Sequence, residues 1–240
     1  MTRLLAFVFL IVFPSCKTEK RKLGIRQMPA NLQYYTNGNI KSIGTVSENG
    51  QPIGNWTYYD STGVLTRKAE FVNICGETLI NQDWYFDHKG DTLKNKGSHF
   101  SIYFSKDTIF LNEPIQAKVD LFEPLFKKKK SEIMVLLPND YKKNFNQDFS
   151  NLKEIQLDTT YNLNLEEEMR KALFINSDFG KTAIFGRYFS SAGKQKFRGI
   201  IVEYFYQDSI ISDSIKLNYF ETKKYFEKEI YVLDSLMPAK

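Results

Sequence analysis

Between Tyr34 and Gly97 one short pattern is written nearly three times, and this repetition constrains the fold more than any other feature of the chain. It first reads Tyr34-Tyr35-Thr36-Asn37-Gly38-Asn39-Ile40-Lys41 and ends at Gly44. It returns from Trp56 through Tyr58-Tyr59-Asp60-Ser61-Thr62-Gly63 to Leu65, and again from Trp84 through Tyr85-Phe86-Asp87-His88-Lys89-Gly90 to Gly97. Tyr58 and Tyr85 are 27 positions apart, as are Gly63 and Gly90, whereas Tyr34 and Tyr58 are 24 apart. A period in the twenties, with an aromatic pair, a turn and an apolar residue per unit, marks a repeat architecture. Each unit reads as a β-hairpin: the aromatic pair on one strand, an Asn-Gly, Thr-Gly or Lys-Gly step at the turn, and a return strand after it. A unit this short cannot bury its own apolar face, so the hairpins are expected to stack and share a core.

The run Tyr-Tyr-x-Asn-Gly-x-Ile-Lys-x-x-Gly, followed by Asn49-Gly50, Gly54-x-Trp56 and Tyr58-Tyr59-Asp60-x-x-Gly63, resembles the bacterial variant of MORN repeats. The resemblance covers residues 34 to 97. The third unit departs from it, with a longer polar stretch between Gly76 and Trp84 and with Thr92 where an apolar residue is expected. Decay at the end of an array suits a capping unit. The resemblance implies an elongated hairpin sheet and a scaffolding or binding role. It implies no catalytic residues.

The N-terminus reads as an address. Arg3 is followed by ten apolar residues, Leu4 to Phe13, and then by Pro14-Ser15-Cys16. Ten residues are too few to span a bilayer, which takes about 20. A basic start, a short apolar core and a small residue before the cut describe a secretory signal peptide over 1–15. The cysteine after Ser15 is similar to that of a bacterial lipobox, which implies lipid attachment at Cys16. Lys17 to Lys22, with four cations in six residues, then reads as a solvated tether over 16–30. With Cys16 acylated, Cys75 is expected to stand alone, buried as a small hydrophobe in the apolar run Phe71 to Cys75.

From Phe100 the pattern changes to alternating strands without a repeat. Ser101 to Phe104, Thr108 to Leu111 and Ser131 to Leu137 read as strands, and Ile115, Ala117, Val119 and Leu121 alternate with polar residues as one half-buried strand does. Thr182 to Phe189 and Gly199 to Tyr206 read as the arms of a hairpin, and Ile210 to Phe220 and Tyr225 to Leu233 as one or two closing strands. Leu165 to Phe174 is the one helical candidate. The expected fold is therefore mainly β: MORN-like hairpin repeats over 31–99, then an antiparallel immunoglobulin-like β-sandwich over 100–240.

Chemistry-bearing motifs are scarce. The two histidines are His88 and His99, and there is no paired-cysteine metal site, nucleophile elbow or glycine-rich phosphate loop. Asp60 and Asp87 precede equivalent turns, either as a carboxylate ladder for a cation or sugar or, the preferred reading, as turn-starting hydrogen-bond acceptors. Glu166 to Glu168 fit the first turn of a helix. Lys127 to Lys130 reads as a solvated hairpin tip, with contact to an anionic surface as the functional alternative. Adjacent aromatics in a strand point to opposite faces. Tyr35, Trp56, Tyr59, Trp84 and Phe86 are accordingly the candidate binding surface, for sugar rings or a partner protein, unless a neighbouring domain covers them.

The sequence thus leads to an envelope lipoprotein held to a bacterial membrane, the outer one expected, through lipidated Cys16 and facing the periplasm or the surface. It is expected to act as a non-enzymatic binding or scaffold module with an envelope protein or glycan as partner. No cofactor, metal or catalytic residue is expected, and no nucleic acid, a net charge of +5 on an exported chain being no argument for one. The alternatives are a glycan-acting enzyme using two carboxylates and a repeat-type protein that neutralises a toxin.

Overall fold

The computed structural model describes residues 30–163, 179–211 and 214–234. Thirteen strands form three sheets in this part of the chain, mostly antiparallel. Cys16, the helical candidate Leu165 to Phe174 and Glu166 to Glu168 lie outside the described residues.

The repeat region is a five-stranded meander: β1 (Ala30–Tyr34), β2 (Ile40–Val46), β3 (Pro52–Tyr59), β4 (Leu65–Ile74) and β5 (Glu77–Tyr85), each hydrogen-bonded to the next. The turns fall where the glycines predict them, but they are not two-residue turns. Asp60 N–H donates to Val64 O (2.9 Å) and Gly63 N–H to Asp60 O (3.1 Å); Asp87, Gly90 and Asp91 repeat this at 2.9 and 3.1 Å. Tyr35, Gly38 and Asn39, and Ser47, Gly50 and Gln51, close the same ring. This is a type I turn completed by a left-handed glycine, with Gly63 at φ +90° and Gly90 at φ +88°. In this frame Tyr35 stands where Asp60 and Asp87 stand.

The hairpins do not stack face to face. They join edge to edge in one sheet, so most residues stay half-buried on both faces and full burial is confined to a few positions, Trp56 and Ala69 among them. The third unit ends early: its return strand is reduced to the bridge between Phe86 and Thr92.

The second half contains β6 (His99–Phe104), β7 (Thr108–Phe110), β8 (Ile115–Glu123), β9 (Glu132–Pro138), β10 (Leu157–Tyr161), β11 (Thr182–Arg187), β12 (Gly193–Ile211) and β13 (Ser214–Leu233). One sheet has the order β10-β9-β12-β13-β7 and the other β11-β8-β6. Both supply one core: Ile115, Ala117, Val119 and Leu121 face Val135, Phe197, Ile201 and Phe226. The alternation of β8 matches the expected strand. The β13–β7 pair is parallel, an exception to the antiparallel expectation.

One expected hairpin does not form. Thr182 to Arg187 pairs with β8, while β12 pairs with β9 and β13. The chain crosses between sheets at the intervening loop, because Gly199 to Tyr204 is buried on both faces. Phe197 and Ile201 fill the shared core, and Ile200, Val202 and Tyr204 fill a second cluster with Phe145, Phe149 and Ile155 on the outer face. A strand with two covered faces belongs in the middle of a sheet.

The same outer cluster takes up the tip of the β4–β5 hairpin. Ile74 is buried within it, with Val72 packed alongside, and Cys75 N–H donates to Asp148 O at 2.9 Å. Cys75 occupies the hairpin turn at φ +53° and is half-buried. It is also disulfide-bonded, which corrects the expectation of a lone buried thiol. The chain's one other cysteine is Cys16.

Candidate functional site

The strand register decides which aromatics meet. Trp56 on β3 and Asp83 on β5 both pair with Ala69 of β4; Tyr58 and Tyr85 both pair with Arg67; Thr57 and Trp84 both pair with Lys68. Trp84 is therefore the counterpart of Thr57, not of Trp56. A one-residue offset reverses the face a side chain takes. Trp84 accordingly leaves the face of Trp56 and packs on His99, ring centroids 5.4 Å apart, with Phe122 6.1 Å beyond. Burial holds His99 below its ordinary pKa.

On the face of Trp56 the Arg67 guanidinium lies between two tyrosines, 5.2 Å from the Tyr58 ring and 5.4 Å from the Tyr85 ring. Asp83 holds it in a fork, accepting from Nε at 2.7 Å and from Nη2 at 3.1 Å. That hydrogen bond raises the Arg67 pKa, and burial raises those of Tyr58 and Tyr85. At neutral pH the row is a fixed cation with two neutral phenols.

Around this row opens a groove of about 450 Å³ lined by Tyr35, Lys41, Tyr58, Tyr59, Tyr85 and Phe86, with Arg67 at its centre and Lys96 at its side. Lys41 lies 5.9 Å over the Tyr35 ring and Lys96 5.0 Å over the Tyr85 ring. Neither lysine has an ion-pair partner among the described residues. The wall is tied to the turns: Tyr35 Oη donates to Tyr59 O at 2.8 Å, and the Asn37 and Asn39 amides both donate to Ser61 O, at 2.7 and 2.8 Å.

Of the five candidate aromatics, Tyr35, Tyr59 and Phe86 line this groove. Trp56 is only 5 % exposed and lies beneath the surface, its Nε1–H donating to Thr45 O at 3.0 Å. Trp84 is on the other face. Arg67, Lys41 and Lys96 were not singled out by the sequence. The signal for Arg67 was the strict 27-residue spacing from Tyr58 to Tyr85, which sets both tyrosines opposite one position of the strand between them.

Asp60 and Asp87 act as turn acceptors. Asp60 Oδ1 accepts from the N–H groups of Thr62 and Val64 at 2.9 and 3.0 Å, and Asp87 Oδ1 from those of Lys89 and Asp91, both at 2.9 Å. The hydroxyl of Thr62 leads the interactions that lower the Asp60 pKa. His88 is exposed at its turn.

A second cavity, of about 440 Å³, lies where the repeat sheet meets the sandwich, with Glu70, Asp107 and Glu227 in its wall. Each acid is engaged. Glu70 accepts from Asn81 and Gln82 at 2.8 and 2.9 Å, Asp107 pairs with Lys228 at 2.6 Å, and Glu227 takes Arg198 at 2.6 Å and Lys196 at 2.8 Å. Burial pushes the Glu227 pKa up, but these cations outweigh it and the net shift is downward.

Behind this cavity Lys224, 7 % exposed, joins the two halves. Its Nζ donates to Asn81 O at 2.8 Å and Ser98 O at 3.2 Å, and the Asn81 side chain exchanges two hydrogen bonds with the Tyr225 backbone. Burial lowers the Lys224 pKa to about 8. Among the described residues no cluster of three or more metal-ligating side chains occurs, and no helix is long and apolar enough to cross a membrane. In comparisons with known proteins, no family model, no curated protein and no solved structure matches this chain.

Proposed function

We propose that this chain is an envelope lipoprotein, anchored through Cys16 in a state without the disulfide at Cys75, whose MORN-like repeat sheet is a non-enzymatic binding module for acidic glycans. The observation that carries the binding reading is the placement of Arg67 between Tyr58 and Tyr85, with Lys41 and Lys96 uncompensated on the same wall. Aromatic faces take the apolar faces of sugar rings, and the two lysines attract carboxylate or phosphate substituents. Arg67, already neutralised by Asp83, then acts as a rigid spacer between the rings. The immunoglobulin-like sandwich is the platform on which the sheet is mounted, through Ile74 beside the hairpin turn and through Lys224.

Affinity electrophoresis tests the reading, with polygalacturonate in one gel and neutral dextran in another. The expected result is retardation in polygalacturonate alone, weakened about tenfold by Tyr85→Ala and also reduced by Lys96→Gln. Retardation that is equal in dextran, or untouched by both substitutions, overturns the assignment of the groove. The anchor stands or falls separately, by fatty-acid labelling.

A further inference from the structure

We propose that a second face, formed by the Lys127–Lys130 turn and the neighbouring phenylalanines of the β12–β13 ribbon, seats on an anionic lipid surface. The reading is independent of the groove and of the N-terminal anchor.

The geometry starts from a difference in strand length. β9 accompanies β12 only from Ile200 to Tyr204, whereas β12 and β13 stay paired from Gly193–Val232 out to Ile211–Ser214. Beyond Tyr204 they form a two-stranded ribbon that extends past β9. On one of its faces Phe126, Phe205 and Phe220 make a ladder: Phe126 meets Phe205 edge-on at 4.8 Å, and Phe205 stacks on Phe220 at 4.9 Å and 9°. Phe205 is buried by its neighbours, but Phe220 is 43 % exposed and Leu125 54 %.

The lysines are held beside this ladder. Lys129 lies 5.5 Å over the Phe205 ring and donates to Gln207 Oε1 at 2.7 Å. Two acids beside the turn are occupied. Glu203, 1 % exposed, accepts from Leu125 N–H at 2.7 Å, Phe126 N–H at 3.1 Å and Ser131 Oγ–H at 2.7 Å. Glu123 takes Lys127 at 3.6 Å and Asn95 N–H at 3.1 Å. Lys128, Lys129 and Lys130, all exposed, form no ion pair among the described residues.

An exposed cationic turn fixed against apolar rings is complementary to a surface that is negative outside and apolar just beneath it. Anionic lipid headgroups over acyl chains have that order. A glycan is the poorer fit here, because Leu125 and Phe220 offer no hydrogen-bonding group to sugar hydroxyls, in contrast to the tyrosine-lined groove.

The test is hydrogen exchange by mass spectrometry on the full chain bound to vesicles of phosphatidylcholine, alone or with phosphatidylglycerol added. Amides of residues 125–130 should be protected on the anionic vesicles, not on the neutral ones, and protection should fall as salt is raised. Replacing Lys128, Lys129 and Lys130 together by Gln should weaken the contact on the order of 100-fold, at roughly fivefold per lysine, and abolish the protection. Phe220→Ser, at an exposed position, should weaken it while leaving the salt dependence in place. Equal exchange on both vesicle types, or protection that survives the lysine substitutions, overturns the proposal. So does protection of the same turn by soluble polygalacturonate without vesicles, which would make the face a glycan site.

Discussion

The indole of Trp56 occupies the space in front of Gly44: a β-carbon at position 44 would lie 2.2 Å from the ring. This contact explains two of the residues that define the repeat. The aromatic is retained on β3 because it covers the sheet, and the glycine on β2 because only a bare backbone lets the ring down. Gly44→Ala should therefore lower stability by about 1–3 kcal/mol, the usual effect of forcing volume into a filled site. Gly38→Ala meets no atom within 4 Å and should lose only the strain of its left-handed backbone, about 1 kcal/mol. Urea unfolding midpoints of the two variants give the comparison.

Lys224 makes stability depend on alkaline pH in a definite direction. Its folded pKa is about 8 against 10.5 for the free side chain. Between these values the unfolded chain holds the proton and the folded chain does not, so this group's contribution rises as pH rises through the window. It is lost again as pH falls through about 8. The tyrosines Tyr58, Tyr85 and Tyr225, raised by burial, act oppositely above pH 10. Subtracting the pH profile of Lys224→Met from that of the parent isolates the lysine, and a flat difference between pH 8 and 10 would refute its buried, deprotonatable state.

Thioether formation and oxidation to a disulfide compete for one sulfur. A thioether at Cys16 and the disulfide at Cys75 exclude each other within one chain, because these are its two cysteines. In envelope-purified, fatty-acid-labelled protein, Cys75 should react with iodoacetamide after denaturation without reductant. In unacylated protein it should react only after reduction. Cys16→Ala should remove both label and membrane retention, and a variant that keeps both would dismiss the anchor.

Glu203 is the fastening of the lysine turn. Glu203→Gln keeps the shape but turns an amide donor toward groups that are themselves donors, at a cost of about 1.5–3 kcal/mol for charge-assisted bonds. The Lys127–Lys130 segment should then open locally before the sandwich unfolds. Trypsin cleavage within it should accelerate in the variant while the global urea midpoint moves by less than the loss of a core residue would cause.

The local features were legible in the sequence. The glycine turns at Gly38, Gly63 and Gly90, the turn role of Asp60 and Asp87, and the alternating strand from Ile115 to Leu121 follow from the conformational freedom of single residues and from a two-residue pleat. These depend on neighbours in the chain, so they can be read along it. The tertiary structure alone decided what depends on pairing across it. It set Trp84 on the opposite face from Trp56, brought Arg67 between two tyrosines, and sent Thr182 to Arg187 and Gly199 to Tyr204 into different sheets. It also chose which apolar run would be covered on both sides. Register and burial are settled by partners far away in sequence, and an apolar run such as Gly199 to Val202 reads the same whether one face is covered or two.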